Sequence, residues 1–346
     1  MIKLLIVDDS AFIRIVIRKL IEQDPKIQLV GEARNGIEAV NMAEALRPDV
    51  ITMDVTMPDM DGLTATREIM SRWPCPIIML SSLTQEGAET TIEALAAGAV
   101  DFIPKNSAIT SFDIVQVGQE LLDKIRYWAS TKKSRKHAPA PVAPKSPQAM
   151  AEPQGEIGLV LLGVSTGGPA IIGNLLKQMG PLACPMVIAQ HMPAVFTKSF
   201  AENLKRTTNL NVVEGEFGTM LQPGMVVVAP GGTDTLIREP FPGKLSISLK
   251  TKEEALIHPS VDVLFQSAMH LSVNPLAVVL TGMGRDGAQG ALDLVKAKRC
   301  PVLAQEPATC VVDGMPRAVL ENGAASESLT IEAIAARLAK WAGAKK

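Results

Sequence analysis

The segment Leu161-Leu162-Gly163-Val164-Ser165-Thr166-Gly167-Gly168-Pro169 carries the pattern G-x-S-x-G between an apolar run and a helical pattern. A sharp turn from strand to helix exposes a hydroxyl and sets amide donors beside it, which suits a nucleophile that must meet a developing anion. The same residues could also form only a tight turn. A phosphate cradle is the weaker reading, because the segment lacks the Lys-Ser/Thr end of a P-loop and is not G-x-G-x-x-G. A nucleophilic Ser165 needs a base. His191 closes the next apolar run, "CPMVIAQHMP", one βα unit on and at the same sheet edge. His137 in a Pro-rich stretch, His270 in a helical pattern and His258 in a loop are less well placed. The base in turn needs an orienting carboxylate. Asp286 in "LAVVLTGMGRDG", Asp234 in "VVVAPGGTD" and Glu306 in "VLAQE" all stand just past strand-like runs, and spacing does not choose among them.

A second constellation lies near the N-terminus. Asp8 and Asp9 end the first apolar run, Asp54 ends the third in "ITMDVTMPDMDG", Ser81 ends the fourth, and Lys105 follows the fifth in "DFIPK". In a parallel sheet the carboxyl ends of the strands share one edge, where ligands bind. Three carboxylates gathered there repel one another unless a cation sits among them, and an all-oxygen donor set with open positions suits Mg²⁺. Lys105 could pair with an anion on Asp54, and the Ser81 hydroxyl could hydrogen-bond it.

The elements that must position these residues alternate. Before residue 130, the strand-like runs "KLLIVDD", "IQLVGEA", "VITMDV", "PIIMLSS" and "VDFIPK" are separated by helical patterns, giving a (βα)5 series with a parallel sheet covered on both faces. The stretch Ser130 to Glu156 is rich in Pro, Ala, Lys and Ser without apolar periodicity. It reads as a flexible linker, because such a composition buries too little surface to offset its ordering entropy. The alternation resumes over 157–346 with "IGLVLLGV", "PMVIAQH", "GMVVVAP", "LAVVLTG" and "PVLAQE", interrupted by the hairpin-like "DTLIREPFPGKLSISLK". The fold class is therefore α/β: a (βα)5 first domain with a parallel sheet over 1–129, and a doubly wound second domain with a small antiparallel insertion.

Bulk properties narrow the function further. A formal charge of −2 gives no general attraction to nucleic acid or anionic membrane, and the basic start of the linker reads as solvated rather than as a nucleic-acid arm. The apolar N-terminus meets Asp8 and Asp9 too soon for a signal sequence, and no apolar run is long enough to span a bilayer. Cys75, Cys184, Cys300 and Cys310 form no C-x-x-C pair, which points to a cytoplasmic setting and away from zinc. A DNA-binding output domain would call for a basic recognition helix after the linker, and the sequence offers none.

The first domain, from Met1 to about Ala129, resembles the receiver domain of two-component response regulators. That resemblance implies that Asp54 is the phosphoacceptor and that Asp8, Asp9 and Asp54 hold Mg²⁺ with the Thr56 carbonyl. It also implies that Ser81 and Lys105 contact the phosphoryl group and that Phe102 is the switching aromatic. Asn106 stands where many receivers have proline. The second domain carries "GVSTGGP", "AQHMP", "VAPGG", "HPSVDVLF", "TGMGRDGA" and "CVVDGMP". These resemble the catalytic domain of the chemotaxis protein-glutamate methylesterases. The resemblance implies Ser165 as nucleophile, His191 as general base and Asp286 as its orienter, with Thr166 and Met283 lining the site and Met283 giving an oxyanion-hole amide. It also implies a reaction without a cofactor, chemoreceptors as substrate, certain glutamines as a second substrate, and a chemotaxis histidine kinase as phosphodonor. In that family the unphosphorylated receiver covers the active site. Asp234 stands where the family often has histidine, a change expected to alter the polarity of the substrate groove.

Overall fold

In a computed structural model, residues 1–105, 114–134, 153, 155–251 and 258–344 are described. The chain divides into two compact units, Met1–Pro139 and Ala140–Lys346. Asn106 and most of the expected linker lie outside the described residues.

In the first unit five parallel strands stand in the order β2-β1-β3-β4-β5. They are β1 (Ile2–Val7), β2 (Ile27–Ala33), β3 (Val50–Asp54), β4 (Ile77–Ser82) and β5 (Asp101–Lys105). Leu4, Leu5, Ile6, Ile51, Met53, Ile77, Ile78 and Met79 are fully buried, as strands covered on both faces require. The helices start where short polar side chains can cap them. Ser10 caps α1 (Ala11–Ile21), Asn35 caps α2 (Gly36–Leu46), Asp61 caps α3 (Gly62–Arg72) and Thr84 caps α4 (Gln85–Ala96). The fifth helix, α5 (Ile114–Ser134), runs on through 130–134, the start of the stretch read from composition as linker.

Gly62 sets how closely α3 approaches the end of β3. A Cβ there would stand 1.9 Å from the Asp54 carbonyl oxygen, which is backbone and cannot swing aside. Gly62→Ala is expected to destabilise the first unit by about 3 kcal/mol, the upper end for overpacking. Denaturant melts followed by near-UV circular dichroism would read this. An unchanged midpoint would show that α3 can move off Asp54 without cost.

The second unit has a seven-stranded parallel sheet in the order β14-β13-β12-β6-β7-β9-β8. Its strands are β6 (Ile157–Val164), β7 (Met186–Gln190), β8 (Asn211–Glu214), β9 (Met225–Val228), β12 (Asn274–Val279), β13 (Val302–Gln305) and β14 (Glu327–Leu329). The helices are α6 (Gly168–Met179), α7 (Ala194–Thr208), α8 (Val261–Ser267), α9 (Ala288–Lys298), α10 (Gly314–Glu321) and α11 (Ile331–Ala342). The expected hairpin forms a separate two-stranded antiparallel sheet, β10 (Asp234–Phe241) with β11 (Lys244–Lys250). β8 and β14 were not apparent in the sequence, and His270 falls beyond the end of α8 rather than within a helix. From β6 the chain winds to one side through β7 and later to the other through β12 and β13. The crevice beyond β6 and β12 is thus the switch point where open α/β sheets bind ligands.

Candidate active site

Ser165 sits at this switch point. Its N–H donates to the Thr281 carbonyl beyond β12 at 3.0 Å, and its carbonyl accepts from Gly168 N at 2.9 Å, the first residue of α6. Gly167 has φ +79°, a left-handed conformation that a side chain would resist, and a Cβ there would meet the Val311 side chain at 2.6 Å. The strand therefore turns sharply into the helix directly after the serine.

His191 follows β7, and its N–H donates to Val164 O at 3.1 Å, which fixes the two strand ends side by side. Gln190 ties them further. It is 2 % exposed, and its Nε2 donates to Ser165 O at 3.0 Å and His191 O at 3.1 Å. Thr281 is also buried, and its hydroxyl donates to Thr166 O at 3.0 Å and accepts from Val312 N at 2.9 Å. Sequence reasoning missed both residues, because their partners are backbone groups that only the sheet brings near.

Of the three carboxylates, Asp286 is the one bonded to His191 among the described residues. His191 Nε2 lies 2.8 Å from Asp286 Oδ2, with both side chains largely buried. Asp286 is further gripped by Val261 N at 2.8 Å, Asp262 N at 2.9 Å, Gly287 N at 3.0 Å and the Ser260 hydroxyl at 3.1 Å. Burial pushes its carboxyl up. The bond and charge of His191 with the amides of Asp262 and Val261 outweigh that, and hold it below the usual carboxylate range. Asp286 is thus a carboxylate seated on the first turn of α8. Asp234 turns elsewhere: its Oδ1 accepts from His258 Nδ1 at 2.9 Å and Ser260 N at 2.9 Å. It is only 1 % exposed, so it lines no groove, and the expected change in groove polarity does not arise from it. Glu306 makes no bond to His191 among the described residues.

Ser165 Oγ has no hydrogen bond to the imidazole among the described residues. With Nε2 engaged by Asp286, the nitrogen left for the serine is Nδ1. The N–H groups of Thr166 and Met283 likewise have no acceptor among the described residues. Thr166 is buried, and the Met283 side chain is 45 % exposed.

In the first unit, one oxygen each from Asp8, Asp9 and Asp54 lie within 4.8 Å of one another. Lys105 Nζ stands 2.7 Å from Asp8 Oδ2 and 2.8 Å from Asp54 Oδ2. Even so, Asp8 Oδ2 is buried without a well-directed hydrogen bond. Burial pushes the Asp54 carboxyl up to about 6; the Asp8 charge adds to this, and Lys105 opposes it. Burial raises Asp8 as well. A cluster of three carboxylates with the Lys105 ammonium beside only Asp8 and Asp54 is an all-oxygen donor set that fits a hard divalent cation. Thr56 is exposed, with its N–H 3.4 Å from Asp54 Oδ1. Ser81 is fully buried and its hydroxyl bonds the Thr91 hydroxyl at 2.7 Å and Gly87 O at 3.1 Å, toward α4. Phe102 is already buried.

Residues 160–338 match the CheB methylesterase family model, and residues 4–113 match the response regulator receiver domain model. The chain is 43% identical to protein-glutamate methylesterase/protein-glutamine glutaminase 2 of Carboxydothermus hydrogenoformans, over 97% of this chain and 98% of that one. It is 40% identical to protein-glutamate methylesterase/protein-glutamine glutaminase 1 of Saccharophagus degradans, again over 97% and 98%. Among solved structures, the catalytic domain of Thermotoga maritima CheB methylesterase is 35% identical with a TM-score of 0.50, covering 54% of this chain and 99% of that one. With a receiver domain and a methylesterase domain in one chain, and relatives that match along almost its whole length, this protein belongs to the CheB methylesterase family.

Proposed function

We propose that this chain hydrolyses glutamate γ-methyl esters on the cytoplasmic helices of methyl-accepting chemotaxis receptors, with Ser165, His191 and Asp286 as its triad. The observation that carries the reading is the His191–Asp286 pair, set beside Ser165 at the switch point of the sheet. Ser165 Oγ attacks the ester carbonyl carbon while His191 Nδ1 takes the hydroxyl proton. Asp286 stabilises the imidazolium through Nε2–H. The Thr166 and Met283 amides donate to the tetrahedral oxyanion. Collapse expels methoxide, which takes the proton from His191 and leaves as methanol. Water then attacks the acyl-enzyme, giving its proton to His191, and glutamate is released with Ser165 restored. The same acyl chemistry on a glutamine side chain releases ammonia, which accounts for glutaminase activity. The test is methanol release from methylated receptor membranes by the full chain.

The first unit then serves as the switch. Asp54 accepts a phosphoryl group from a chemotaxis histidine kinase in the cytoplasm. Asp8, Asp9, Asp54 and the Thr56 carbonyl would hold Mg²⁺, which when bound supplies positive charge against the phosphoryl oxygens. Lys105 stands ready to pair with the phosphoryl group on Asp54, and Ser81 would exchange its Thr91 bond for a phosphoryl oxygen. Neither nucleic acid nor membrane insertion enters this reading, and no helix among the described residues is long and apolar enough to cross a membrane.

Asp54→Asn is expected to keep basal methanol release and lose its stimulation by a small-molecule phosphodonor. Ser81→Ala should take up phosphate yet respond weakly. Methanol and phosphate incorporation measured on the same samples would check both, and a phosphodonor response in Asp54→Asn would remove Asp54 as the acceptor. Mg²⁺ should also raise the melting temperature of the wild-type chain, since a ligand that binds only the folded state stabilises it. Calorimetry with and without a chelator reads that shift.

A further inference from the structure

Asp234 is a buried carboxylate with both of its described side-chain bonds directed at one short segment. Its Oδ1 accepts His258 Nδ1 and Ser260 N, each at 2.9 Å. A carboxylate with 1 % exposure is costly to bury, and charge-assisted bonds to two donors offset that cost. The segment it grips leads into α8. Ser260 is the N-cap of that helix: its hydroxyl accepts from Val263 N and donates to Asp286 Oδ1 at 3.1 Å. The next two amides, Val261 and Asp262, donate to the two oxygens of Asp286. Thus, among the described residues and apart from His191 and the adjacent Gly287, the donors to Asp286 come from the N-cap and first turn of α8.

α8 spans only Val261–Ser267, too short to hold its shape without tertiary anchors. β10 supplies an anchor at each end. Asp234, its first residue, bonds Ser260 at the helix start, and Ile237 N bonds the Ser267 hydroxyl at the helix end at 2.9 Å. The antiparallel insertion therefore acts as a brace on the helix that seats the acid of the triad.

We propose that Asp234 is a positioning residue for ester hydrolysis: through Ser260 and the first turn of α8 it fixes Asp286, and through Asp286 the imidazole of His191. The inference rests on the reading of Ser165, His191 and Asp286 as the triad. It assigns Asp234 no contact with substrate, and so a role in turnover rather than in binding.

The test compares Asp234→Leu, which removes the acceptor but keeps the branched shape of the side chain, with Asp234→Asn, which keeps an acceptor oxygen. Full-length chains are assayed at a temperature where melts show every variant folded. Asp234→Leu should lower kcat about 100-fold, as expected for a misplacement of about 1 Å at a reacting group, with KM within about twofold of wild type. Asp234→Asn should recover most of that loss. The low-field imidazole proton resonance of the His191–Asp286 bond should be present in the Asn variant and absent in the Leu variant. Combined with Ser260→Ala, the Asp234 substitutions should be less than additive in kcat, because both act through one turn. Wild-type kcat in Asp234→Leu, or a raised KM with kcat unchanged, would overturn the proposal. If Asp234→Leu does not fold, the Asp234→Ala/Ser260→Ala cycle decides, and additive losses overturn it. Ser165→Ala assayed alongside separates the two levels of the argument. If that variant still turned over, the triad reading itself would fail, whereas its inactivity beside an unaffected Asp234→Leu would remove only the role of Asp234.

Discussion

Ser165→Ala and His191→Ala should each lower methanol release by roughly 10³-fold or more while leaving the chain folded. The serine hydroxyl has no hydrogen-bond partner among the described residues, so its removal leaves no orphaned group behind. The turn that carries it is held by backbone bonds and by Gln190, all of which survive the substitution. His191 is likewise placed by its own N–H on Val164 O rather than by its ring. Losing the ring does leave Asp286 with one donor fewer, but the α8 amides still satisfy both oxygens. Folded protein without activity is therefore the expected pairing. A folded Ser165→Ala chain with near-normal methanol release would end the nucleophile assignment.

Asp286→Asn should cost both activity and stability. The activity loss is expected near 10³–10⁴-fold, because an amide cannot stabilise the imidazolium that forms when His191 takes the serine proton. The stability loss follows from the number of donors around the carboxylate. Oδ2 faces His191 Nε2 and Val261 N, whereas Oδ1 faces Asp262 N, Gly287 N and the Ser260 hydroxyl. Asparagine can present an oxygen to only one side, so its NH₂ group must meet at least one backbone N–H on the other. An unsatisfied buried amide costs about 1–3 kcal/mol, and a drop of about 3 kcal/mol in unfolding free energy is expected. Paired kinetics and denaturant melts check both parts. A loss of activity without any loss of stability would mean that the α8 turn can release Asp286 freely. If Asp234→Asn were instead the more damaging change, the acid of the triad would have been assigned to the wrong residue.

The difference between Asp286 and Asp234 shows where the sequence stops being informative. Both follow strand-like runs and glycines, and both stand at the correct sheet edge. What separates them is the start of α8, whose amides point at Asp286 and whose N-cap is tied to Asp234. That distinction depends on contacts across some 25 residues of chain, which local pattern does not encode. Ser165 was easier to read, because its turn is local: an apolar strand, a left-handed glycine and a helix start lie within a few residues. The acids of the first unit carried a local signal too, since Asp8 and Asp9 follow one apolar run directly and Asp54 ends another. Gln190 and Thr281 were not, since a buried side chain that serves backbone carbonyls carries no spacing signal. Nor were β8 and β14, which are short strands at the two edges of the sheet with partly exposed polar residues. Edge strands gain too little burial to acquire a clear alternation of apolar and polar positions.

The central claim is that His191, held by Asp286, activates Ser165 as the nucleophile. The most direct measurement is peptide-level mass spectrometry of the full chain after reaction with a serine-directed fluorophosphonate, run in parallel on wild type and His191→Ala. The account predicts a single phosphonylated peptide containing Ser165, formed in step with loss of methanol release, and labelled far more slowly when His191 is absent. Inactivation with the label on another residue, or labelling of Ser165 at an equal rate in His191→Ala, would contradict it.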